Sequence, residues 1–269
     1  MPYKQPVGKE CAPDRLPEED GAALAGLGHK LEEAAAVVNW LGHDFGNVLT
    51  GVLGFAELTL EQVPPGSDAH TFTQEIARAA ESGAEFVRKL LRFSRRTRTQ
   101  SGATVLSTLL AQEAAHWQQL LGAEHALRLE VPADTPPVDL DVETLRSLLE
   151  PLLVNARQAL AGPGNVTVTV RSATLQAEEC SLLLGRASPG TFVEVDVADT
   201  GSGFQREARQ RWLAEPFFST RPRHHGLGLP IVYGILRTYG GGFCIQDVLP
   251  TGTRVRVFLP VAHGSSSQG

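Results

Sequence analysis

The feature that most constrains the fold is a heptad rhythm of apolar residues in the first third of the chain. Between Leu31 and about Leu60, two rows recur every seven residues: Leu31, Val38, Phe45 and Val52, and Ala34, Leu41, Val48 and Phe55. After a turn at Pro64-Pro65-Gly66 a second heptad run follows: Phe72, Ile76, Ala79, Gly83, Phe86, Leu90 and Phe93. This spacing is typical of a coiled-coil seam and predicts two helices that form a hairpin.

A single hairpin of this kind would leave much of both apolar seams in contact with water. Burial of the seams requires a second hairpin, and two copies of the chain can close a four-helix bundle. The heptad pattern therefore predicts a homodimer that is formed through the hairpin.

The pattern changes after about residue 102. Periodicity predicts helices over about 105–121, 142–160 and 227–239, and strands over 125–131, 166–170, 192–197, 242–248 and 253–259. Helices mixed with mostly neighbouring strands indicate an α+β domain with helices on one face of a mixed sheet. The predicted organisation is a flexible, proline-containing lead-in over 1–28, the hairpin over 29–100, the α+β domain over 101–262 and a flexible tail over 263–269.

Composition narrows the classes of function. The net charge of −6 disfavours a general nucleic-acid binder, because binding to a phosphate backbone requires a basic excess. Three widely spaced cysteines without a CxxC pair exclude a disulfide framework and favour a reducing compartment. The sequence has no signal-peptide core and no apolar stretch of about 18 residues. We therefore expect a cytoplasmic protein without a membrane span. Because no recognisable sensor domain is present, its input is expected from a separate sensory partner or from a segment outside this sequence.

His43 falls at an outward position of the first predicted helix, because Leu41 and Phe45 belong to the seam. Asn47 is about 40° away around the helix and Asp44 is adjacent, so these polar residues share one exposed face. On periodicity alone, a solvated surface histidine is the simpler interpretation. An imidazole beside a carboxylate is, however, a suitable phosphoryl acceptor.

Glycines inside the same helix also argue against a plain surface helix. Each costs up to about 1 kcal/mol relative to alanine, so their presence indicates that something approaches the helix closely or bends it. The positions are Gly42, Gly46, Gly51 and Gly54.

The segment Leu41-Gly-His-Asp-Phe-Gly-Asn-Val-Leu-Thr50 resembles the H-box of dimeric two-component sensor histidine kinases with a HisKA-type hairpin. In that family the histidine is phosphorylated, its acidic neighbour acts as base, and the polar residue four places on orients water for phosphatase action. The resemblance implies these roles for His43, Asp44 and Asn47. It also implies a response-regulator receiver domain as partner.

The run ending Leu90-Leu-Arg-Phe-Ser-Arg-Arg96 is similar to the family's second hairpin helix. The basic cluster from Arg88 to Arg98 is interpreted as a solvated helix end that the helix dipole favours, with a partner-binding role as the alternative.

Further segments follow in the family's order. Leu152 to Ala159 resembles the N-box, Asp199-Thr-Gly-Ser-Gly203 the G1 box, Glu215 to Thr220 the F-box, and His225-Gly-Leu-Gly-Leu229 the G2 region. Gly252-Thr253 matches the G3 element. Each segment alone has a plainer interpretation: a surface amide, a turn or a loop anchored by aromatic residues. Their order implies an ATP-binding α/β sandwich of the gyrase–kinase (Bergerat, GHKL) superfamily after the hairpin.

The resemblance assigns a role to each matching position. Asn155 would coordinate Mg²⁺ through its amide oxygen, and Asp199 would accept a hydrogen bond from the adenine amino group. The remaining ATP-binding positions are Gly201, Gly203, Gly226, Leu227, Gly228, Leu229 and Thr253. Those around Gly228 begin a helix, whose free N–H groups suit phosphates.

Two departures from the family pattern bear on activity. Arg223-His224-His225 occupies a lid about two residues shorter than usual, which leaves the affinity for ATP open. Pro151 stands four residues before Asn155, where hydrolytic members of the superfamily place a water-activating glutamate, and Glu150 is rotated by roughly 100°. Direct ATP hydrolysis is therefore disfavoured.

The sequence thus predicts an ATP-dependent histidine kinase that phosphorylates His43, passes the phosphoryl group to a receiver aspartate and has phosphatase activity. The alternative is a non-catalytic histidine phosphotransfer or scaffold protein with a decayed ATP site. A nucleotide-dependent ATPase outside signalling is a third possibility, against which the H-box and Pro151 argue.

Overall fold

The hairpin predicted from the heptads is present in the structure, a computed structural model that describes residues 18–95, 97–98, 102–219, 226–248 and 250–262. Its helices are α1 (Glu18–Leu60) and α2 (Asp68–Ser94). The turn between them contains Gly66 at φ +81°, a conformation that favours glycine. Ser67 then caps α2, because its side-chain oxygen accepts a hydrogen bond from the His70 amide at 3.1 Å.

The first helix begins earlier than predicted. Residues 18–28 belong to α1, so the prediction of a flexible lead-in over 1–28 is wrong for them, and residues 1–17 lie outside the described residues. Leu27 and Leu31 are almost fully buried in the core of the following domain, and the Tyr233 hydroxyl donates to the Gly28 carbonyl at 3.2 Å. Disorder was predicted because prolines precede residues 18–28. Packing against a distant part of the chain stabilises these residues as a helix.

The two helices approach each other along a row of small residues. A Cβ atom added to Gly42 would lie 2.8 Å from the Leu91 side chain, and one added to Gly83 would lie 3.2 Å from Leu49. Of the four glycines that the sequence analysis singled out, Gly42 and Gly46 thus face α2, since a Cβ atom on Gly46 would lie 3.8 Å from the Val87 side chain. Gly51 and Gly54 have no neighbour within 4 Å of such an atom.

The predicted seam residues of α1 lie on a different face from this contact row. From Leu41 onwards, the seam residues are between 37% and 74% exposed in the single chain: Leu41, Phe45, Val48, Val52 and Phe55. This exposure is what the sequence predicted for a single hairpin, whose apolar seams stay largely in contact with water. These larger side chains are directed away from α2, whereas Gly42 and Gly83 permit close antiparallel packing by leaving room for a leucine of the other helix.

After the hairpin, the chain forms a six-stranded mixed sheet in the order β2-β4-β6-β8-β7-β5. Only the β2–β4 pair is parallel among the paired strands of this sheet. The strands are β2 (His125–Glu130), β4 (Gly164–Leu175), β5 (Leu184–Gly185), β6 (Gly190–Asp199), β7 (Gly242–Asp247) and β8 (Thr253–Pro260), while β1 (Ala103–Thr104) pairs with β3 (Val138–Asp139). The predicted long strands are confirmed, whereas the two-residue strands were not predicted.

Helices cover one face of this sheet and complete the α+β architecture. Apart from the short α5 (Ala177–Ser181), whose Cys180 packs with Phe192 and Phe258 on the opposite face, they are α3 (Leu106–Leu121), α4 (Val142–Ala159), α6 (Arg206–Ala214) and α7 (Gly228–Tyr239). Alternation along β6 buries Val193, Val195 and Val197 against the large core that these helices form. Within the described ranges, none of the helices combines the length and apolarity that a membrane crossing requires.

The base of the hairpin is anchored on α7. Phe93, fully buried near the end of α2, brings its backbone against Gly234, where an added Cβ atom would lie 2.3 Å from the Phe93 carbonyl oxygen. Arg98 continues this contact by donating to the Tyr239 carbonyl at 3.0 Å and pairing with Asp139. The hairpin and the α+β domain therefore share one continuous core.

Candidate nucleotide-binding cleft and phosphoacceptor helix

An open cleft of about 880 Å³ lies between the α+β domain and the lower half of α2. Its lining includes the following residues predicted to bind nucleotide: Asn155, Asp199, Gly203, Gly226, Leu227, Gly228, Leu229 and Thr253. The structure thus brings together residues from α4, from the last residue of β6, from the first residue of β8 and from the segment that leads into α7.

Asp199 ends β6 at the bottom of the cleft and is 5% exposed. Its Oδ1 atom accepts hydrogen bonds from the Gly201 amide at 2.8 Å and from the Thr253 amide at 3.3 Å. Burial raises the pKa of this carboxyl group, although both hydrogen bonds oppose the increase. One oxygen is held by the backbone, which leaves the second as an acceptor in a poorly hydrated site.

The glycines around the cleft satisfy steric requirements. A Cβ atom on Gly201 would lie 2.6 Å from the Ala159 carbonyl oxygen, and one on Gly226 would lie 2.2 Å from the Phe217 carbonyl oxygen. Gly203 and Gly226 also have φ angles of +76° and +63°. Gly201 is not among the residues that line the cleft, so its contribution is to let the loop pack on α4.

Asn155 projects from α4 towards the first residue of α7. A Cβ atom on Gly228 would lie 3.5 Å from both the amide oxygen and the amide nitrogen of Asn155, an ordinary van der Waals distance, so the first turn of α7 lies beside the Asn155 amide. An amide oxygen beside unpaired helix N-terminal amides is a donor set compatible with a Mg²⁺–phosphate group. Pro151 lies one turn earlier on α4 and also lines the cleft, while Glu150 pairs with His116 of α3 at 3.4 Å.

The α2 helix forms a wall of this cleft that the sequence prediction did not include. Ser82, Glu85, Phe86, Lys89 and Arg92 line it. Their spacing of three and four residues places them on one face of the helix. This spacing is the sequence feature that could have predicted a wall of the cleft on α2. It was missed because the basic cluster had been interpreted as a solvated helix end.

The predicted F-box segment lies where the cleft meets the hairpin. The Phe217 ring packs edge-on against the Phe93 ring of α2, with 5.5 Å between centroids, and Phe218 lines the cleft. The guanidinium group of Arg211 stacks on the Phe218 ring at 4.3 Å. The predicted short lid from Arg221 to His225 lies outside the described residues.

His43, Asp44 and Asn47 lie together on α1, apart from the residues that line the cleft. The His43 and Asp44 side chains are 76% and 66% exposed, and 3.5 Å separates His43 Nδ1 from Asp44 Oδ1. Asn47 Nδ2 is also 3.5 Å from His43 Nδ1. The exposed polar face predicted from the heptads is therefore present, and a molecule that docks there can reach all three side chains.

Comparisons with known proteins agree with this arrangement. Residues 140–263 match the family of histidine kinase-, DNA gyrase B- and HSP90-like ATPases. The sensor kinase CckA of Brucella abortus (strain 2308) is 30% identical over 234 residues, which cover 86% of this chain and 24% of CckA. The sensor histidine kinase ZraS of Escherichia coli (strain K12) is 27% identical over 239 residues, which cover 88% of this chain and 46% of ZraS. The chain thus spans between about a quarter and a half of the length of these relatives.

A solved structure extends the likeness to the fold. Full-length ShkA in complex with AMPPNP matches 87% of this chain and 46% of its own length, with a TM-score of 0.61 and 22% sequence identity. Residues 140–263 thus match the model of the histidine kinase-, DNA gyrase B- and HSP90-like ATPases, within a chain that is similar to sensor histidine kinases.

Proposed function

We propose that this protein is an ATP-dependent histidine kinase that phosphorylates His43 and transfers the phosphoryl group to an aspartate of a response-regulator receiver domain. The observation that carries the proposal is the exposed His43–Asp44 pair on a hairpin that shares its core with a domain matching the histidine kinase-like ATPases. AMPPNP in the ShkA structure supports ATP as the nucleotide.

The chemical step assigns a task to each group of the exposed face. The Nε2 lone pair of His43 attacks the γ-phosphorus, the bond from that phosphorus to the bridging oxygen breaks, and ADP leaves. The proton on Nδ1 passes to Asp44, whose carboxylate is 3.5 Å away. Asn47 would position water when the aspartyl phosphate of a bound receiver is hydrolysed.

Asn155 is the residue that would hold Mg²⁺, which would neutralise charge on the ATP phosphates. Asp199 would select adenine through its remaining carboxylate oxygen. The segment from Gly226 to Leu229, which leads into the first turn of α7, would direct amide N–H groups at the phosphates.

A homodimer through the hairpin is part of the same proposal. Exposed apolar side chains on α1 include Phe45, Val48 and Phe55, and α2 adds Phe72 and Ile76 near the hairpin tip, at 67% and 51% exposure. Monomeric proteins rarely expose so large a contiguous apolar surface, so a second hairpin is the natural cover for it. A cytoplasmic location and a separate sensory partner stay predictions from the sequence.

The test is incubation of the full chain with γ-labelled ATP and Mg²⁺. We expect acid-labile, base-stable label that His43→Gln abolishes and His29→Gln, a substitution of another exposed histidine of α1, leaves intact. Undiminished labelling of His43→Gln would refute the assignment. A chain that takes no label from ATP but accepts it from a phosphorylated receiver would instead be the non-catalytic phosphotransfer protein.

A further inference from the structure

Two basic side chains line the nucleotide cleft, and both come from the hairpin. Among the described residues that line it, Lys89 and Arg92 of α2 carry the positive charges, while Glu85, Glu150 and Asp199 carry negative ones. The part of the cleft that belongs to residues 140–263 thus contributes no lysine or arginine within the described lining. A polyphosphate that binds in this cleft would meet its positive side chains on α2.

The two cations are held in place by carboxylates that a phosphate group can replace. Lys89 Nζ is 2.8 Å from Glu85 Oε1, one turn earlier on the same helix. Arg92 Nη2 is 3.6 Å from Glu143 Oε1, in the first turn of α4, the helix that also carries Asn155. Both basic side chains are about half exposed, which leaves room for a ligand to reach them.

We propose that Lys89 and Arg92 bind the polyphosphate of the nucleotide from the hairpin side, so that the nucleotide bridges α2 and the ATPase domain. This inference rests on the nucleotide site of the proposed function. Lysine supplies a point charge and arginine a fork of N–H donors that matches phosphate oxygens. Nucleotide binding exchanges the Glu85 and Glu143 partners for phosphate oxygens.

This arrangement couples nucleotide occupancy to the docking of the hairpin. A ligand that contacts both parts binds more tightly when they are together, and by linkage it stabilises that arrangement. Phe93 holds the end of α2 against Gly234, so the basic side chains are presented to the cleft by a contact that is already formed. The competing interpretation is a pair of surface ion pairs with little energetic effect.

The test is calorimetric titration of the full chain with ATP, ADP and adenosine, each with Mg²⁺. Lys89→Gln and Arg92→Gln should each weaken ATP binding by about five- to thirtyfold and leave adenosine binding unchanged. Lys89→Arg, which keeps the charge, should retain most of the affinity. Glu85→Gln, which removes the competing carboxylate, should tighten ATP binding. The matched control is Arg78→Gln, a paired basic residue of α2 outside the cleft.

These titrations distinguish failure of the bridging role of Lys89 and Arg92 from failure of the proposed function. If wild-type chain binds ATP but neither Lys89→Gln nor Arg92→Gln differs from Arg78→Gln, the bridging role is overturned and the nucleotide site stands. Equal losses for ATP and adenosine would also overturn it, because they would indicate a structural effect. Absence of ATP binding by the wild-type chain would overturn this inference together with the proposed function.

Discussion

The Nδ1 atom of His43 lies 3.5 Å from the Oδ1 atom of Asp44 on the exposed face of α1. Because the carboxylate faces Nδ1, Nε2 is the ring nitrogen left for attack on phosphorus. Asp44→Asn should therefore slow autophosphorylation by about 10²–10⁴-fold, the usual range for a positioned acid–base group. The measurement is the initial rate of labelling from γ-labelled ATP.

The chain offers a matched control for this substitution. Glu33 stands beside His29 on the same helix, with 3.7 Å between Oε1 and Nδ1, so Glu33→Gln neutralises a comparable carboxylate. We expect a wild-type rate for that variant. If the two variants lost activity alike, Asp44 would have no specific part in the transfer.

Asn47→Ala should separate the two activities of the exposed face. The amide can hydrogen-bond water but cannot take up a proton from His43, so its loss should spare autophosphorylation and remove most phosphatase activity towards a phosphorylated receiver. Rates of labelling and of receiver dephosphorylation are compared for each variant. Equal reductions of both rates in Asp44→Asn and Asn47→Ala would point to a disturbance of the helix and contradict this division.

Asp199→Asn should weaken nucleotide binding without weakening the fold. Loss of a charge-assisted hydrogen bond to adenine is worth roughly 1.5–3 kcal/mol, which is about a 10- to 150-fold loss of affinity. Burial raises the pKa of the Asp199 carboxyl, so the ionised form costs folding free energy at neutral pH, and this cost is relieved as the pH falls through the raised pKa. The thermal midpoint of Asp199→Asn at neutral pH should thus equal or exceed that of the wild type.

The raised pKa of Asp199 also predicts how the affinity for ATP depends on pH. Adenine recognition needs the carboxylate, so affinity for ATP should decline on acidification at a higher pH than an ordinary aspartate would produce. Titrations at several pH values should find this decline in the wild type and not in Asp199→Asn. An identical pH profile for the two proteins would rule out Asp199 as the titrating group.

Gly226→Ala should impair the site at the start of α7. The added Cβ atom would lie 2.2 Å from the Phe217 carbonyl oxygen, and the φ angle of +63° disfavours alanine. We expect at least a tenfold loss of ATP affinity by calorimetry. Gly240→Ala is the control, since its φ of +78° carries the same backbone strain with no neighbour within 4 Å. Wild-type binding by Gly226→Ala, or an equal loss in both variants, would contradict the steric explanation.

The exposed apolar face of α1 should determine the oligomeric state. Val48→Glu and Phe55→Glu place a charge on side chains that are 61% and 74% exposed in the single chain. Burial of an unpaired charge is strongly unfavourable, so light scattering should find the mass of one chain for these variants and of two for the wild type. Asn39→Glu, a change at an exposed polar position about 40° from His43 around the helix, should stay dimeric. If light scattering found the mass of one chain for the wild type, the proposal of a homodimer would be wrong.

The long elements of this protein could be predicted from sequence because their signals are local. Heptad spacing predicted the ends of α1 and α2 near Leu60 and Phe93, and alternation predicted β4, β6, β7 and β8. Exposure of His43 followed from the position of Leu41 and Phe45 in the apolar rows. The glycine at 226 was correctly singled out by its motif, although the clash with Phe217 that makes glycine necessary was not visible.

Only the tertiary structure decided which surfaces meet. The apolar rows do not distinguish the face of α1 that packs on α2 from the face that stays exposed in the single chain, because both are apolar. Glycine at positions 42 and 83 decides it by permitting close approach. Helix formation over residues 18–28 depends on burial of Leu27 in a core built mainly from residues far along the chain. Lys89 and Arg92 line the cleft because Phe93 anchors α2 at Gly234, more than a hundred residues away in sequence. Such long-range contacts produce no periodic sequence pattern in the segments that make them, so they could not be predicted from the sequence.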